Sequence, residues 1–227
     1  MSKTYTGVLL IVGPILTILG YLLLPQNAPG NDPTSFADVI SAIAGGNSTL
    51  IDICLLMVAG GMAALVGGIY LANRQHAASD KEEDPRTTWG GLITIISFVG
   101  FISTIGIIAA IAGAVESAND AGDVSGMAAA PTVAPILAIG TGIQAYADIF
   151  FGIGIAVMAS AWAQGSVHDR NTSYVLAVVG VITVLARVIL GLAGAEGDIT
   201  AMVGSALYVI ATISFVSIGV QTLQAKS

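Results

Sequence analysis

Six long apolar runs, nearly free of charge, decide what this chain can fold into. They cover roughly 5–24, 49–71, 89–115, 134–162, 174–192 and 199–223. A helix that crosses hydrocarbon needs about 20 such residues. Hydrophobic residues make up 55% of the 227 and charged residues 9%. A soluble domain carries about 25% charge, so this chain lacks the polar surface to cover a water-soluble fold. Its apolar content also rules out disorder. The expected architecture is all-α: one transmembrane domain over 1–227, a polytopic bundle of six helices joined by short loops. The bilayer is its first partner. Pro14 should kink the first helix. Pro131 and Pro135 sit where the fourth begins, a position that tolerates proline. The first run is long for a signal-peptide core. The best small-residue site after it, Asn27-Ala28, is followed by Pro29. It reads as a retained helix.

Six crossings put both termini on one side, and Lys and Arg choose the side. Lys3, Arg74, Lys81, Arg86, Arg170 and Lys226 fall in alternate loops or at the ends. The other three loops hold Asp32, Asp38, Glu116, Asp120, Asp123, Glu196 and Asp198, with no Lys or Arg. The expectation is therefore cytoplasmic termini and an acidic outer face. Trp89, Trp162, Tyr5, Tyr70 and Tyr174 fall near the cytoplasmic ends, where amphipathic rings anchor. The acidic face would suit a basic soluble partner. The segment 116–123 lacks the spacing of a calcium loop.

Several function classes are excluded. The net charge of −7 argues against nucleic acid as a partner. Cys54 is the single cysteine and reads as a small buried hydrophobe. His76 and His168 are read as loop residues, which disfavours a haem held between helices. Lys3, Lys81 and Lys226 lie outside the apolar runs, so no retinal Schiff base is expected. No H-E-x-x-H, G-x-S-x-G, Walker loop or C-x-x-C occurs. No catalytic residue, metal ligand set or cofactor is assigned, and the chain is not read as an enzyme.

Ionisable groups inside the runs are the informative exceptions, because a charge at membrane depth needs a partner or water. Asp148 and Arg187 lie in the fourth and fifth runs and are the expected pair. Gln144 and Asp52 are alternative partners for Arg187. Thr141, Gln144 and Asp148 share one helical face, as do Gly180, Thr183 and Arg187 on the next helix. Gly204, Tyr208 and Thr212 share a face of the sixth, and Thr94, Ser97, Phe101 and Thr104 a face of the third. All four stripes are expected to turn inward.

Apolar burial does not drive helices together in lipid, whereas close approach through small residues does. The expected packing stripes are Gly60, Ala64 and Gly68; Gly106, Ala110 and Ala114; Gly152, Ala156 and Ser160; and Gly191 with Ala195. The endings Ala112-Gly-Ala-Val-Glu116 and Ala193-Gly-Ala-Glu196 hint at a repeat of two parallel hairpins.

The charged turn after the second run and the Gly-rich segment Tyr146-Ala-Asp148-Ile-Phe-Phe-Gly-Ile-Gly154 carry a layout-level resemblance. The chain resembles a family of small six-helix prokaryotic membrane proteins of unknown function. That resemblance implies a multi-pass cell-membrane protein and supplies no substrate or site residue. The sparse chemistry points to a non-catalytic subunit packed within a larger membrane complex or a homo-oligomer. The alternative is a small transporter or channel that uses Asp148 and Arg187.

Overall fold

The computed structural model describes residues 3–25, 36–79, 84–123, 125–192 and 198–225. The chain is all-α. Its helices are α1 (Lys3–Leu22), α2 (Phe36–Ala44), α3 (Ser48–Ser79), α4 (Pro85–Asp120), α5 (Ala130–Trp162), α6 (Arg170–Leu192) and α7 (Asp198–Gln224). Six of these, all but α2, are long and apolar enough to cross a membrane. No strand occurs among the described residues.

Local chemistry explains where helices begin. Asn47 accepts the Leu50 amide on its side chain at 3.0 Å, an N-cap for α3. Asp84 accepts the Arg86 amide at 2.9 Å, and Pro85 occupies the first helical position, where its missing N–H costs nothing. Asp169 accepts the Thr172 amide at 2.8 Å and opens α6. At the other end of α4, Gly122 takes φ +97°. The Asp123 amide then reaches back to the Ala118 carbonyl at 3.0 Å. This is a glycine-based helix stop, the role the structure gives to the segment 116–123.

Two expectations need correction. The loop after α1 contains α2, which buries Ile40 and Ile43. Their spacing of three is a one-face helical pattern, hidden because nine residues is too short for a span. Next, α3 continues eight residues past the apolar run, from 71 to Ser79. Helix α4 likewise runs from Pro85 to Asp120 rather than over 89–115. Polar residues end an apolar run without ending the helix. Helix α1 runs on through Pro14 without a break.

The described chain separates into two compact units. The first comprises Met1–Ile15, Gly61–Val99 and Ala145–Ser227, and the second Leu16–Gly60 and Gly100–Gln144. The first unit is built on backbone-to-backbone approaches. A Cβ at Gly13 would meet the Leu65 amide nitrogen at 2.6 Å, one at Gly90 the Met158 nitrogen at 2.5 Å, and one at Gly219 the Gly7 carbonyl at 2.8 Å. The second unit closes around Leu24, Ile40, Ile43, Cys54, Leu55 and Ile111, all buried. Its α1 and α3 meet at Gly20, where a Cβ would lie 2.7 Å from the Cys54 carbonyl.

The faces left outside are apolar too. Helix α6 exposes Val178, Ile182, Leu185 and Ile189. Such a stripe, at spacings of three and four, fits a lipid surrounding rather than water.

Candidate functional site

The sequence-predicted ion pair forms. The Arg187 guanidinium donates through Nη2 to Asp148 Oδ2, across the α5–α6 contact in the first unit. Two glycines make this possible. Gly152 and Gly180 bring the α5 and α6 backbones together one turn or more from the pair, within reach of a long Arg side chain. Helix α7 flanks it, since a Cβ at Gly204 would lie 3.6 Å from Arg187 Nη2. The side chains keep 15% exposure at Asp148 and 24% at Arg187. The pair is thus sheltered but not sealed.

The hydroxyls near it are spent on their own helices. Thr183 donates to the Val179 carbonyl at 2.8 Å and Thr141, itself exposed, to the Leu137 carbonyl at 3.0 Å. Tyr208 is half-buried on α7 and Gln144 half-buried on α5. Thr94 and Ser97 on α4 are buried and donate to the Gly90 and Thr94 carbonyls. A hydroxyl bonded to a carbonyl of its own helix can sit in apolar surroundings without a desolvation penalty. Its hydrogen is committed to that bond.

Asp52 is exposed and belongs to the second unit. There it lines an open cavity of about 310 Å³ with Ser48, Glu116, Asn119 and Asp120. Asn119 also donates to the Ala44 carbonyl at 3.4 Å, tying α4 to α2. Among the described residues, no group of three His, Cys, Asp or Glu is placed to hold a metal ion. Asp38 and Asp123 are described, and Asp123 is held well below the usual carboxylate range by the Ser125 hydroxyl and the Ala128 amide. Asp32 and Glu196 lie outside the described residues, as does the side chain of Asp198.

The small-residue stripes divide. Gly152 packs against α6, with its Cβ position 2.8 Å from the Gly180 carbonyl, and the Ala156 backbone nitrogen lies at the same crossing. Gly68 packs against Leu10, and Ala64 is half-buried. Gly60 and Gly106, expected at helix contacts, instead have nothing within 4 Å, and Ala110 is exposed. Gly191 is also open, and Ala195 lies outside the described residues, as does the second half of the suggested repeat. The stripe spacing was right for a helix face, but spacing alone does not say which face turns inward.

A second polar cluster departs from the sequence expectation. His76, expected in a loop, lies on α3 and is 1% exposed. His168 does precede α6 in a loop, yet it is 6% exposed. The two rings lie nearly parallel, with centroids 6.1 Å apart, and the Trp162 ring is 4.6 Å from His168. Trp162 donates from Nε1 to Asn73 Oδ1 at 2.8 Å, and Asn73 donates to Met158 Sδ at 3.3 Å. The available signal was the spacing Asn73-x-x-His76, one helical turn. The charged neighbour Arg74 masked it.

No family model, curated protein or solved structure matches the chain.

Proposed function

We propose that the chain is a non-catalytic integral membrane subunit that packs against another membrane chain or further copies of itself. One observation carries this reading. Gly60, Gly106, Gly113 and Gly142 lie within helices with nothing within 4 Å of a Cβ position. Glycine destabilises a helix interior, and the other packed glycines have a reason to be there in close backbone approach. These four have no such reason among the described residues. Small residues on a lipid-facing helix are the surfaces through which membrane helices associate. On α4, Gly106 and Gly113 stand seven residues apart on one face, with Ala110 between them.

The proposed setting is a cell membrane, with both termini in the cytoplasm on the strength of the Lys/Arg distribution. The prokaryotic six-helix resemblance agrees with that setting. Native mass measurement from lipid nanodiscs tests the reading. We expect fixed-ratio assemblies, weakened at least tenfold by Gly106→Leu with Gly113→Leu while the chain stays folded. A monomer at every concentration would end it.

A second reading keeps one specific observation, the incomplete burial of the Asp148–Arg187 pair. Intramembrane carboxylates of this kind bind protons or cations in transporters. In that reading, Asp148→Asn abolishes proton-driven dye response in proteoliposomes without lowering expression. Unaltered flux in that variant removes the reading.

A further inference from the structure

The paired histidines suggest a pH-sensitive element, independent of the subunit reading. His168 is more than nine-tenths buried, and its Nε2 is enclosed with no hydrogen-bond partner. The ring is anchored by its other nitrogen, Nδ1, whose bond to the Ala72 backbone fixes the neutral tautomer. A proton added to Nε2 would therefore enter a closed space with no acceptor. It would face the His76 ring on one side and the Trp162 indole on another. An unpaired buried charge is among the costliest arrangements a protein can hold.

The neighbours of the ring are closely packed. Gly165, in the turn between α5 and α6, lies against His76 so closely that a Cβ there would fall 2.8 Å from its Nδ1. Trp162 is fully buried and fixed through Asn73 to Met158. Lifting of the turn 163–169 from the end of α3 would give His168 Nε2 water as a partner.

The charged neighbours do not offset this. On α3, His76 faces His168, and Arg74 is exposed. Met158 and Trp162 on α5 carry no charge. Asp84, ahead of α4, is bound to Arg86 and acts on His76 rather than on His168. Asp169 is exposed and bonded to Thr172, and Arg170 lies over the Tyr174 ring, 5.5 Å from its centroid.

We infer that His168 is a proton-operated latch: its neutral ring holds the α5–α6 turn against α3, and its protonation releases that turn. Burial pushes the His168 pKa down to about 4 from its ordinary 6.5. The released ring regains the ordinary value, so the released form binds the proton more readily. The closed form is fully favoured above pH 6.5, loses ground as pH falls below it, and levels off near pH 4. Between pH 7.5 and pH 5 the equilibrium moves toward release by about 30-fold.

Trp162 reports the event directly, because Trp89 is the other tryptophan and is exposed. In a Trp89→Phe background in nanodiscs, Trp162 emission should shift to the red and become open to iodide as pH falls from 7.5 to 4.5. The change should reverse on neutralisation, and His168→Phe should abolish it. A flat profile in the Trp89→Phe protein overturns the latch, as does an unchanged transition in His168→Phe. Should His168→Phe fail to fold, ring NMR of ¹³C-histidine-labelled wild-type protein decides. The His168 resonance must titrate together with the emission change, with a midpoint between 4 and 6.5. A different midpoint overturns the proposal.

Discussion

Gly152 on α5 and Gly180 on α6 face each other backbone to backbone. A Cβ on Gly152 would sit 2.8 Å from the Gly180 carbonyl oxygen, and one on Gly180 would sit 2.5 Å from the Gly152 carbonyl oxygen. Neither backbone can retreat alone, because both are held in regular helix. The same contact sets the distance across which Arg187 reaches Asp148.

Adding a side chain at this crossing should be costly. Gly180→Val should destabilise the folded chain by about 1–3 kcal/mol, the usual range for overpacking. Gly191→Ala is the matched control, since nothing among the described residues lies within 4 Å of its Cβ position. It should be neutral or gain up to about 1 kcal/mol from helix propensity. Thermal unfolding in one detergent, followed by circular dichroism, compares the two.

The ion pair predicts non-additive mutants. Asp148→Leu alone or Arg187→Leu alone leaves one charge among apolar helices, at a cost of about 2.5–3.5 kcal/mol. The double variant removes both charges and should recover most of the loss. Additive losses in a double-mutant cycle of unfolding midpoints would mean that the contact is not energetically coupled.

Asn73 holds two partners at once. Asn73→Ala leaves the Trp162 indole N–H buried without its acceptor, which should cost about 1–3 kcal/mol. Asn73→Asp keeps an acceptor for Trp162 but loses the donor to Met158 and sets a carboxylate against buried side chains, and should cost at least as much as the alanine variant. Chemical denaturation followed by Trp162 fluorescence, in the Trp89→Phe background, separates the two cases.

The topology predicts a labelling pattern. In intact cells a membrane-impermeant thiol reagent should modify Asp120→Cys, and it should modify Ser166→Cys only after the membrane is opened. Both positions are exposed. The reverse pattern would invert the orientation drawn from the Lys and Arg distribution.

The six spanning helices were legible because hydrocarbon demands length and apolarity together, and no other element of a chain this size meets both. Asp148 and Arg187 were legible for a related reason: two opposite charges on consecutive helices are forced to find each other. Helix α2 was not, because nine amphipathic residues resemble many loops. The His76–His168 cluster was lost through treating the end of an apolar run as the end of a helix. Asn73, Arg74, Gln75 and His76 look like a loop in composition, yet Gln75 donates to Thr6 at 2.8 Å and His76 is buried. At Gly60 and Gly106 the stripes meet nothing among the described residues, because a spacing of four residues marks a face and leaves its rotation open. Gly90 and Gly154, whose Cβ positions each approach the other helix, belonged to no stripe singled out in the sequence.

The length of α3 has a practical consequence. Its 32 residues extend about 48 Å at 1.5 Å each, against a hydrocarbon thickness of about 30 Å. With the apolar run 49–71 placed in the hydrocarbon, the last turns, with Asn73, Gln75 and His76, would stand at the depth of lipid phosphates and glycerol esters. A micelle matches the thickness of a bilayer through its tails but replaces that chemistry with its own head. Solubilising this protein well is thus a matter of choosing the polar end of the amphiphile as carefully as its chain length.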